Sequence, residues 1–258
     1  MHFDVIIIIK LKGKVNIMIK DGLNTEASIT SFLLIGQSNM AGRGEFSDVE
    51  PIDNDKCFML RMGRWQKMTE PINPDRAIWG TRFHSGTSLA ASFADTYTKK
   101  FNSSCGLIPC ADGGTKISQW MPGELLFDHA VYMSRLAKRT SEIGGILWHQ
   151  GESDCVNLDT EKYKSDFITM ITALRKELGN EKLPVIIGEV SENITLNWVD
   201  EGAPKRLNEA FHEISREIEN VSVVSSNELE LKADGIHFNA KALREFGLRY
   251  FEKYKEML

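Results

Sequence analysis

Short apolar runs alternate along the chain with longer segments in which apolar residues recur at helical spacing. In residues 87–101, for example, Leu89, Phe93 and Tyr97 follow one another at intervals of four. Short apolar runs fit strands buried on both faces, and their alternation with amphipathic helices is typical of βα units around a parallel sheet. The pattern therefore predicts one three-layer α/β domain with about five parallel strands.

The predicted elements fill most of the chain after residue 31. The strands are expected at residues 32–36, 106–110, 145–149, 184–189 and 221–225. The helices are expected at residues 87–101, 124–140, 160–178, 203–219 and 239–257. Residues 43–86 are the least regular part, and long loops in compact domains often carry function. Because no repeat, low-complexity tract or Pro/Gly-rich linker divides the chain, a single domain is favoured.

The first 30 residues are predicted to be an extension, separate from a domain at 31–258. Its apolar run, residues 5–9, is too short for a membrane span of about 20 residues. Asp4 before the run and Lys10 after it do not fit a signal peptide, which needs a basic start and a longer apolar stretch. The segments on either side of residues 12–14 are expected to pair as a β-hairpin. The default expectation is a cytoplasmic protein, with a secreted mature form as the alternative.

The composition is that of an ordinary globular protein, with 258 residues, 42% hydrophobic and 26% charged, and a formal net charge of −5. The basic residues are scattered, so no concentrated positive patch for a phosphate backbone is expected. We therefore expect neither nucleic acid nor a membrane as a partner, and the sequence does not set the oligomeric state. The four cysteines lack CxxC spacing and lie in or beside apolar segments, which predicts buried, reduced thiols.

Reactive side chains follow several of the predicted strands. In open parallel sheets, ligands bind outside the carboxyl ends of the strands, so these segments are expected to meet at one edge. They are Gln37-Ser38-Asn39 after the first strand, residues 111–115 after the second, residues 149–154 at the end of the third, and residues 234–237 after the fifth. Together they contain the groups that a hydrolase needs.

Asp234 and His237 are spaced for an Asp–His pair on one turn. The carboxylate can accept the Nδ1 proton, which leaves Nε2 free to act as a base on Ser38. The alternative is a structural Asp-Gly turn that leads into the last helix. The sequence around Ser38 lacks the second glycine of the G-x-S-x-G elbow, which disfavours an α/β-hydrolase.

An ester hydrolase also needs donors aimed at the developing oxyanion. Gly113 and Gly114 allow the backbone to approach closely and point an amide into the site, although a tight turn also explains a Gly-Gly pair. The side-chain amide of Gln150 and the backbone amide of Ser38 complete the expected set of donors. Asn39 and Glu152 are expected to support the site, and one alternative makes Glu152 the partner of His237.

A metal site drawn from His149, Glu152, Asp154, Asp234 and His237 is the competing interpretation. It is disfavoured because His149 and Gln150 are adjacent in a strand and point to opposite faces. In addition, Asp234 cannot easily serve both His237 and a metal. We therefore expect no metal and no cofactor, and expect Glu152 and Asp154 to brace the loop that holds Gln150.

Four further side chains are candidates for contact with a sugar. They are Trp65, Trp79, Arg82 and Trp120, which stand in the irregular segment or shortly after the second strand. Aromatic and guanidinium groups can stack on or hydrogen-bond a sugar ring, but aromatic residues in loops also close hydrophobic cores.

These residues resemble the SGNH hydrolase superfamily, in particular the branch of carbohydrate esterase family 6 acetylxylan esterases and sialate O-acetylesterase-like proteins. The resemblance covers about residues 31–258 and rests on four blocks: residues 36–40, residues 113–115 with Trp120, residues 148–154, and residues 234–237. It implies a flavodoxin-like fold, Ser38 as nucleophile, His237 as base and Asp234 as its partner. It also implies an oxyanion hole of Ser38, a Gly113 or Gly114 amide, and Gln150 in place of the asparagine that names the superfamily.

The expected activity is removal of O-acetyl groups from carbohydrates such as acetylxylan through an acyl-enzyme on Ser38. A sialate O-acetylesterase is the alternative within the same branch, and a lipase or thioesterase the alternative within the superfamily. A non-catalytic carbohydrate-binding protein is disfavoured because Ser38, Asp234, His237 and Gln150 are all present.

Overall fold

The computed structural model of the chain describes residues 7–11, 14–18, 29–74 and 84–258. Within those residues, a seven-stranded sheet forms the centre of the molecule. Two strands precede it and pair antiparallel with each other, β1 (Ile7–Leu11) and β2 (Lys14–Met18), as expected for the segments around residues 12–14. The division of the chain at residue 30 stays a prediction, and the first strand of the central sheet begins one residue before it.

The central sheet consists, in chain order, of β3 (Ile29–Gly36), β4 (Cys57–Arg61), β5 (Arg64–Lys67), β6 (Cys105–Pro109), β7 (Ser141–His149), β8 (Val185–Gly188) and β9 (Val221–Val224). Their order across the sheet is β5-β4-β6-β3-β7-β8-β9. The pairing is parallel throughout except between β4 and β5. The central strand β3 therefore carries Ser38 out of the middle of the sheet.

The helices are α1 (Ser38–Ala41), α2 (Leu89–Phe101), α3 (Leu125–Ala137), α4 (Thr160–Leu178), α5 (Ala203–Glu217) and α6 (Ala240–Glu256). Side-chain caps fix the starts of three of them, because Ser88, Asp159 and Asn239 each accept a hydrogen bond from a backbone N–H in the first turn. The five longer helices match the predicted ones to within a few residues. In the described part of the chain, none of the helices is long and apolar enough to span a bilayer.

Alternating side chains of β3 divide the core into two layers. Phe32 and Leu34 pack into the cluster that includes Phe93 of α2 and Phe246 of α6. Leu33 and Ile35 pack on the other face, in the cluster that includes residues of α3, α4 and α5. Helices on both faces explain why residues 32–35 of β3 are all apolar. The three-layer α/β fold is confirmed, and all four cysteines are buried and free, as expected.

The sheet has more strands than the sequence predicted, because β4 and β5 lie in the segment that was expected to be irregular. They form a hairpin whose turn is Met62-Gly63, both with positive φ. β5 (Arg64–Lys67) is the edge strand and has little buried surface, so its sequence lacks the apolar signal of a strand. Residues 57–60 did carry a short apolar run that could have been interpreted as β4.

Candidate active site

A sharp turn at the end of β3 presents Ser38 at the carboxyl edge of the sheet. Gly36 has a φ of 128°, and a Cβ at that position would overlap the carbonyl oxygen of His149 on the neighbouring strand. The backbone N–H of Gln37 donates to the same carbonyl at 2.8 Å. Only glycine fits this close approach, and it allows the chain to leave the sheet and begin α1 at Ser38.

Ser38, His237 and Asp234 form a continuous hydrogen-bonded chain. The Nε2 atom of His237 lies 2.8 Å from Oγ of Ser38. The Nδ1 atom of His237 lies 2.9 Å from Oδ2 of Asp234. The other carboxylate oxygen, Oδ1, accepts from the backbone N–H groups of Ile236 and His237 at 3.2 and 3.0 Å. The structure therefore brings together the three residues that the sequence placed at one sheet edge.

The carboxyl group of Asp234 is held in its ionised form. Burial by itself would raise the pKa of Asp234, but hydrogen bonds from the backbone and the imidazole of His237 and from the backbone of Ile236 outweigh that effect. The resulting pKa lies below the ordinary value. An ionised carboxylate accepts the Nδ1 proton, so the imidazole presents the Nε2 lone pair to the serine hydroxyl.

Asn39 connects the turn that carries Ser38 to the loop that carries His237. Its Nδ2 donates to the carbonyl of Ile236 at 3.2 Å, and its Oδ1 accepts from the backbone N–H of Phe238 at 3.1 Å. These two backbone groups flank His237 in the chain. One buried side-chain amide therefore fixes the backbone on both sides of the imidazole, which agrees with a supporting position for Asn39.

Glu152 holds the side-chain amide of Asn39 through a buried hydrogen bond. Its Oε1 accepts from Nδ2 of Asn39 at 2.5 Å and lies 3.2 Å from Nε2 of His149. Glu152 and His149 are both completely buried. Burial would raise the pKa of Glu152, but the interactions with His149 and Asn39 lower it below the ordinary value. Glu152 thus acts on His237 only through Asn39, and Asp234 is the carboxylate in contact with the imidazole.

Gly113 approaches the serine more closely than Gly114 does. A Cβ at Gly113 would lie 3.6 Å from Cβ of Ser38 and 2.7 Å from Nη2 of Arg43. Gly114 has a φ of 75°, and a Cβ there would have no atom within 4 Å among the described residues. Of the two glycines in the expected oxyanion site, Gly113 lies beside Ser38, and the positive φ of Gly114 shapes the turn.

Gln150 differs from the expectation that its side-chain amide faces the oxyanion. Its Nε2 has two protons and already meets three acceptors: Asp154 Oδ2 at 2.6 Å, Thr115 O at 2.8 Å and Gln37 Oε1 at 3.2 Å. Its Oε1 accepts from the hydroxyl of Tyr163 at 2.9 Å. The Gln150 side chain is completely buried and fully engaged, so it has no donor left for a substrate.

Gln37, the residue before Ser38, carries a second buried side-chain amide. Its Oε1 accepts from Gln150 Nε2 and, in longer contacts of 3.4 Å, from the backbone N–H groups of Gly151 and Ser153. Three donors on the oxygen fix the orientation of the Gln37 amide and leave its Nε2 without a protein partner among the described residues. Gln37 was not among the predicted site residues, although its position next to Ser38 is a signal that could have indicated it.

Two of the four expected sugar contacts lie elsewhere. Trp65 packs over Gly106 in the first half of β6 and donates from Nε1 to Thr140 at 3.2 Å, near the start of β7 and away from Ser38. Trp120 is 1% exposed and packs edge-on against Trp148 at a ring separation of 5.6 Å. Trp120 closes the core, and the half-buried Trp65 packs against the edge of the core. Trp79 and Arg82 lie outside the described residues.

Arg43 is a second side chain near the site that the sequence analysis did not identify. Its guanidinium lies beside Gly113, as the close approach of Nη2 shows, and its Nη1 donates to the carbonyl of Gly42 at 2.8 Å. Its backbone carbonyl accepts from Nζ of Lys232, two residues before Asp234. Arg43 therefore adds a positive charge and links the serine turn to the histidine loop.

The residues of the alternative metal site do not form one group: His149 contacts Glu152, Asp234 contacts His237, and Asp154 contacts Gln150. His149 lies among the rings of Phe238 and Phe246, while Asp234 is bonded to His237. In the part of the chain that the structure describes, no three His, Cys, Asp or Glu side chains come together in a group that could hold a metal ion.

The three-layer α/β fold, with a serine, an imidazole and a carboxylate at the carboxyl edge of its sheet, fits the class of SGNH-like hydrolases, and the protein is a carboxylic ester hydrolase. The chain belongs to the carbohydrate esterase, sialic acid-specific acetylesterase family, which matches residues 28–256. It is thus an esterase of a family that acts on acetylated sugars.

One relative resembles this chain in both sequence and fold, and further solved structures share its fold. The probable carbohydrate esterase At4g34215 of Arabidopsis thaliana is 30% identical over 243 residues, which cover 86% of this chain and 89% of the plant protein. Its crystal structure superposes with a TM-score of 0.78 at 28% identity, covering 89% of this chain and 98% of that one. The fold is also that of NanS, at a TM-score of 0.74, 16% identity and coverage of 89% and 97%.

A carbohydrate acetylesterase from Xanthomonas citri, XAC1771, shares the fold at a TM-score of 0.65 and 20% identity, over 88% of this chain and 56% of that protein.

Proposed function

We propose that the protein hydrolyses O-acetyl esters of carbohydrates by a serine mechanism. The acetyl group is first transferred to Ser38, and water then hydrolyses the acetyl-serine. The observation that carries the proposal is the hydrogen-bonded chain from Ser38 through His237 to Asp234. The family supports an acetylated sugar as the substrate class.

In the first half of the reaction, Nε2 of His237 takes the hydroxyl proton of Ser38 while Oγ attacks the acetyl carbonyl. The tetrahedral intermediate collapses when its bond to the sugar oxygen breaks, and His237 returns the proton to that oxygen. In the second half, His237 deprotonates a water molecule that attacks the acetyl-serine. Acetate leaves, and the proton returns to Ser38. These steps need no group beyond the chain, the ester and water.

The developing oxyanion needs hydrogen-bond donors. Three groups, one on Ser38 itself and two on residues beside it, are suited to supply them. They are the backbone N–H of Ser38, the backbone N–H of Gly113 and Nε2 of Gln37. Gln37 replaces Gln150 in this role, because the Gln150 amide is engaged and holds Gln37 Oε1 in place. Donors fixed in advance toward the transition-state charge are each worth about 10²–10³ in rate.

The identity of the sugar is the finer part of the proposal. The family description names sialic acid, so O-acetylated sialic acid is the first substrate to test. Acetylated xylan is the alternative, because the sequence blocks around Ser38 and His237 also resemble acetylxylan esterases. Acetate release from the two substrates at equal acetyl concentration discriminates between these sugars.

The serine mechanism is tested with the Ser38→Ala variant on 4-nitrophenyl acetate. Loss of nearly all turnover supports the mechanism, and Ser47→Ala, which removes an exposed hydroxyl from the following loop, is the matched control. A Ser38→Ala protein that keeps most of its activity would refute the mechanism. A panel of acyl lengths tests the substrate class: a collapse of rate beyond acetyl supports an acetylesterase, and a rise toward long chains supports a lipase or thioesterase.

A further inference from the structure

Two glutamine amides stand in a row behind the proposed oxyanion site. Nε2 of Gln150 donates to Oε1 of Gln37 at 3.2 Å, and Nε2 of Gln37, the residue before Ser38, forms the other end of the row. A row of amides can be oriented in either direction, because the oxygen and nitrogen ends have nearly the same shape. In the observed direction the Gln37 amide carries its N–H groups at the end away from Gln150. In the reverse direction it would present an oxygen, which repels an oxyanion.

At the end of the row away from Gln37, the Gln150 amide donates to a carboxylate. Oδ2 of Asp154 lies 2.6 Å from Nε2 of Gln150, the shortest contact that this nitrogen makes, and also accepts from the backbone N–H of Ile117 at 3.0 Å. An ionised carboxylate can only accept, so it requires an N–H from Gln150. Hydrogen bonds to an ionised acceptor are roughly twice as strong as neutral ones.

The other contacts of Gln150 are weaker constraints or permit both orientations. The carbonyl of Thr115 is also an acceptor, but it is neutral. The hydroxyl of Tyr163 lies 2.9 Å from Gln150 Oε1 and could donate or accept, so it does not select a direction. Among the described residues, Asp154 is the one side chain bonded to this row of amides that carries a charge.

We propose that Asp154 is a positioning residue of the oxyanion site: its carboxylate orients the Gln150 amide, which makes the shortest of the three hydrogen bonds to Gln37 Oε1 and so directs Gln37 Nε2 toward the reacting carbonyl. The inference rests on the proposed function, because it assigns a task to Gln37 in the reaction of Ser38. Asp154 itself touches neither substrate nor serine. Burial raises the pKa of its carboxyl group above the ordinary value, against the hydrogen bonds from Gln150 and Ile117.

The test measures the reactivity of Ser38 without any sugar. The second-order rate of Ser38 labelling by a fluorophosphonate, and kcat and KM for 4-nitrophenyl acetate, are measured for wild type, Asp154→Ala, Asp154→Asn, Gln37→Ala and Asp154→Ala combined with Gln37→Ala. Asp159→Ala is the matched control, because Asp159 is an exposed carboxylate nearby whose contact is the cap of α4.

We expect Asp154→Ala to lower kcat and the labelling rate by about tenfold or more, a part of the 10²–10³ that a whole donor is worth, with KM nearly unchanged. Asp154→Asn should fall between wild type and Asp154→Ala, because its amide oxygen can still accept but carries no charge. In the Gln37→Ala background, Asp154→Ala should cause little further loss, since both changes act through the same donor.

A folded Asp154→Ala protein with wild-type rates would overturn the inference, and so would losses that multiply in the double variant. If Asp154→Ala does not fold, Asp154→Asn decides, and a wild-type kcat in that variant overturns the inference. These outcomes leave the proposed function intact as long as wild-type Ser38 is labelled. A wild-type protein whose Ser38 resists the fluorophosphonate and whose acetyl esters are not hydrolysed would overturn both.

Discussion

The side-chain amide of Asn39 lies 2.5 Å from the buried carboxylate of Glu152, 113 residues further along the chain. The same amide bonds to the backbone on both sides of His237. The buried carboxylate of Glu152, the amide of Asn39 and the loop of His237, the proposed base, therefore belong to one hydrogen-bonded network. In such a network, loss of one partner leaves the others unpaired in a medium where that is costly.

Replacement of Asn39 by alanine should therefore reduce both stability and activity. Glu152 would lose a hydrogen bond in a completely buried position, at a cost of about 1–3 kcal/mol in the free energy of unfolding. The loop of His237 would lose its connection to α1, so kcat should fall more than KM rises. Urea unfolding and steady-state kinetics measure the two effects. Asn197→Ala, at an exposed position, is the control. Equal effects from both variants would show that Asn39 does not hold Glu152 and the loop of His237 together.

Replacement of Asp234 by asparagine should abolish most activity while keeping the fold. The asparagine can donate toward Nδ1 of His237, which favours the tautomer that presents a proton instead of a lone pair to Ser38. A change of this kind costs about 10⁴ in kcat in the chymotrypsin triad, and we expect about 10³–10⁴ here. Because Asp234 is partly exposed, the melting temperature should change little. A variant with near wild-type kcat would show that the carboxylate does not orient the imidazole.

Stability at acid pH should depend on Glu152. Its pKa is lowered in the folded protein, so the unfolded chain takes up the proton first as the pH falls. The stability that Glu152 contributes is therefore fully present above its ordinary pKa of 4.5 and is lost as the pH falls through the folded value. Urea midpoints between pH 3 and 6 should fall less steeply in Glu152→Gln than in wild type. Identical slopes would rule out this contribution.

The turn before Ser38 should tolerate no side chain at Gly36. A Cβ at Gly36 would overlap the carbonyl oxygen of His149, in addition to the strain of a positive φ. Gly123→Ala isolates the second effect, because Gly123 has a φ of 89° and no atom of the described residues would lie within 4 Å of its Cβ. We expect the control to lose about 1–3 kcal/mol of stability and Gly36→Ala to lose more. Equal losses in urea unfolding would show that the contact with His149 does not constrain the turn.

The sequence predicted the parts of the molecule that depend on local patterns. The bounds of α4 (Thr160–Leu178) agree with the predicted helix because an amphipathic period and the cap at Asp159 both mark it. Ser38, Asp234 and His237 could be brought together because parallel strands place their carboxyl ends at one edge. Each of these inferences uses the order of residues along the chain and the geometry of regular elements.

The sequence could not predict which way a buried polar side chain faces. Gln150 and Gln37 both stand near the serine, and only the set of partners around each one decides which amide is free. Trp65 and Trp120 show the same limit for aromatic residues, because a loop tryptophan can close a core or face a ligand with the same local sequence. β5 was missed because an edge strand buries too little surface to need an apolar pattern.

The three consecutive residues that follow β3 each have a separate part in the proposed reaction. In the proposed mechanism, Gln37 donates to the oxyanion and Ser38 carries the nucleophile, while Asn39 holds the loop of His237. Covalent geometry therefore sets the spacing between these groups, whatever small displacements occur between the sheet and its surrounding helices. A relaxation of the fold elsewhere would move the attacking atom, the charge-stabilising donor and the anchor of the base as one body, so their alignment should outlast moderate loss of packing at the periphery.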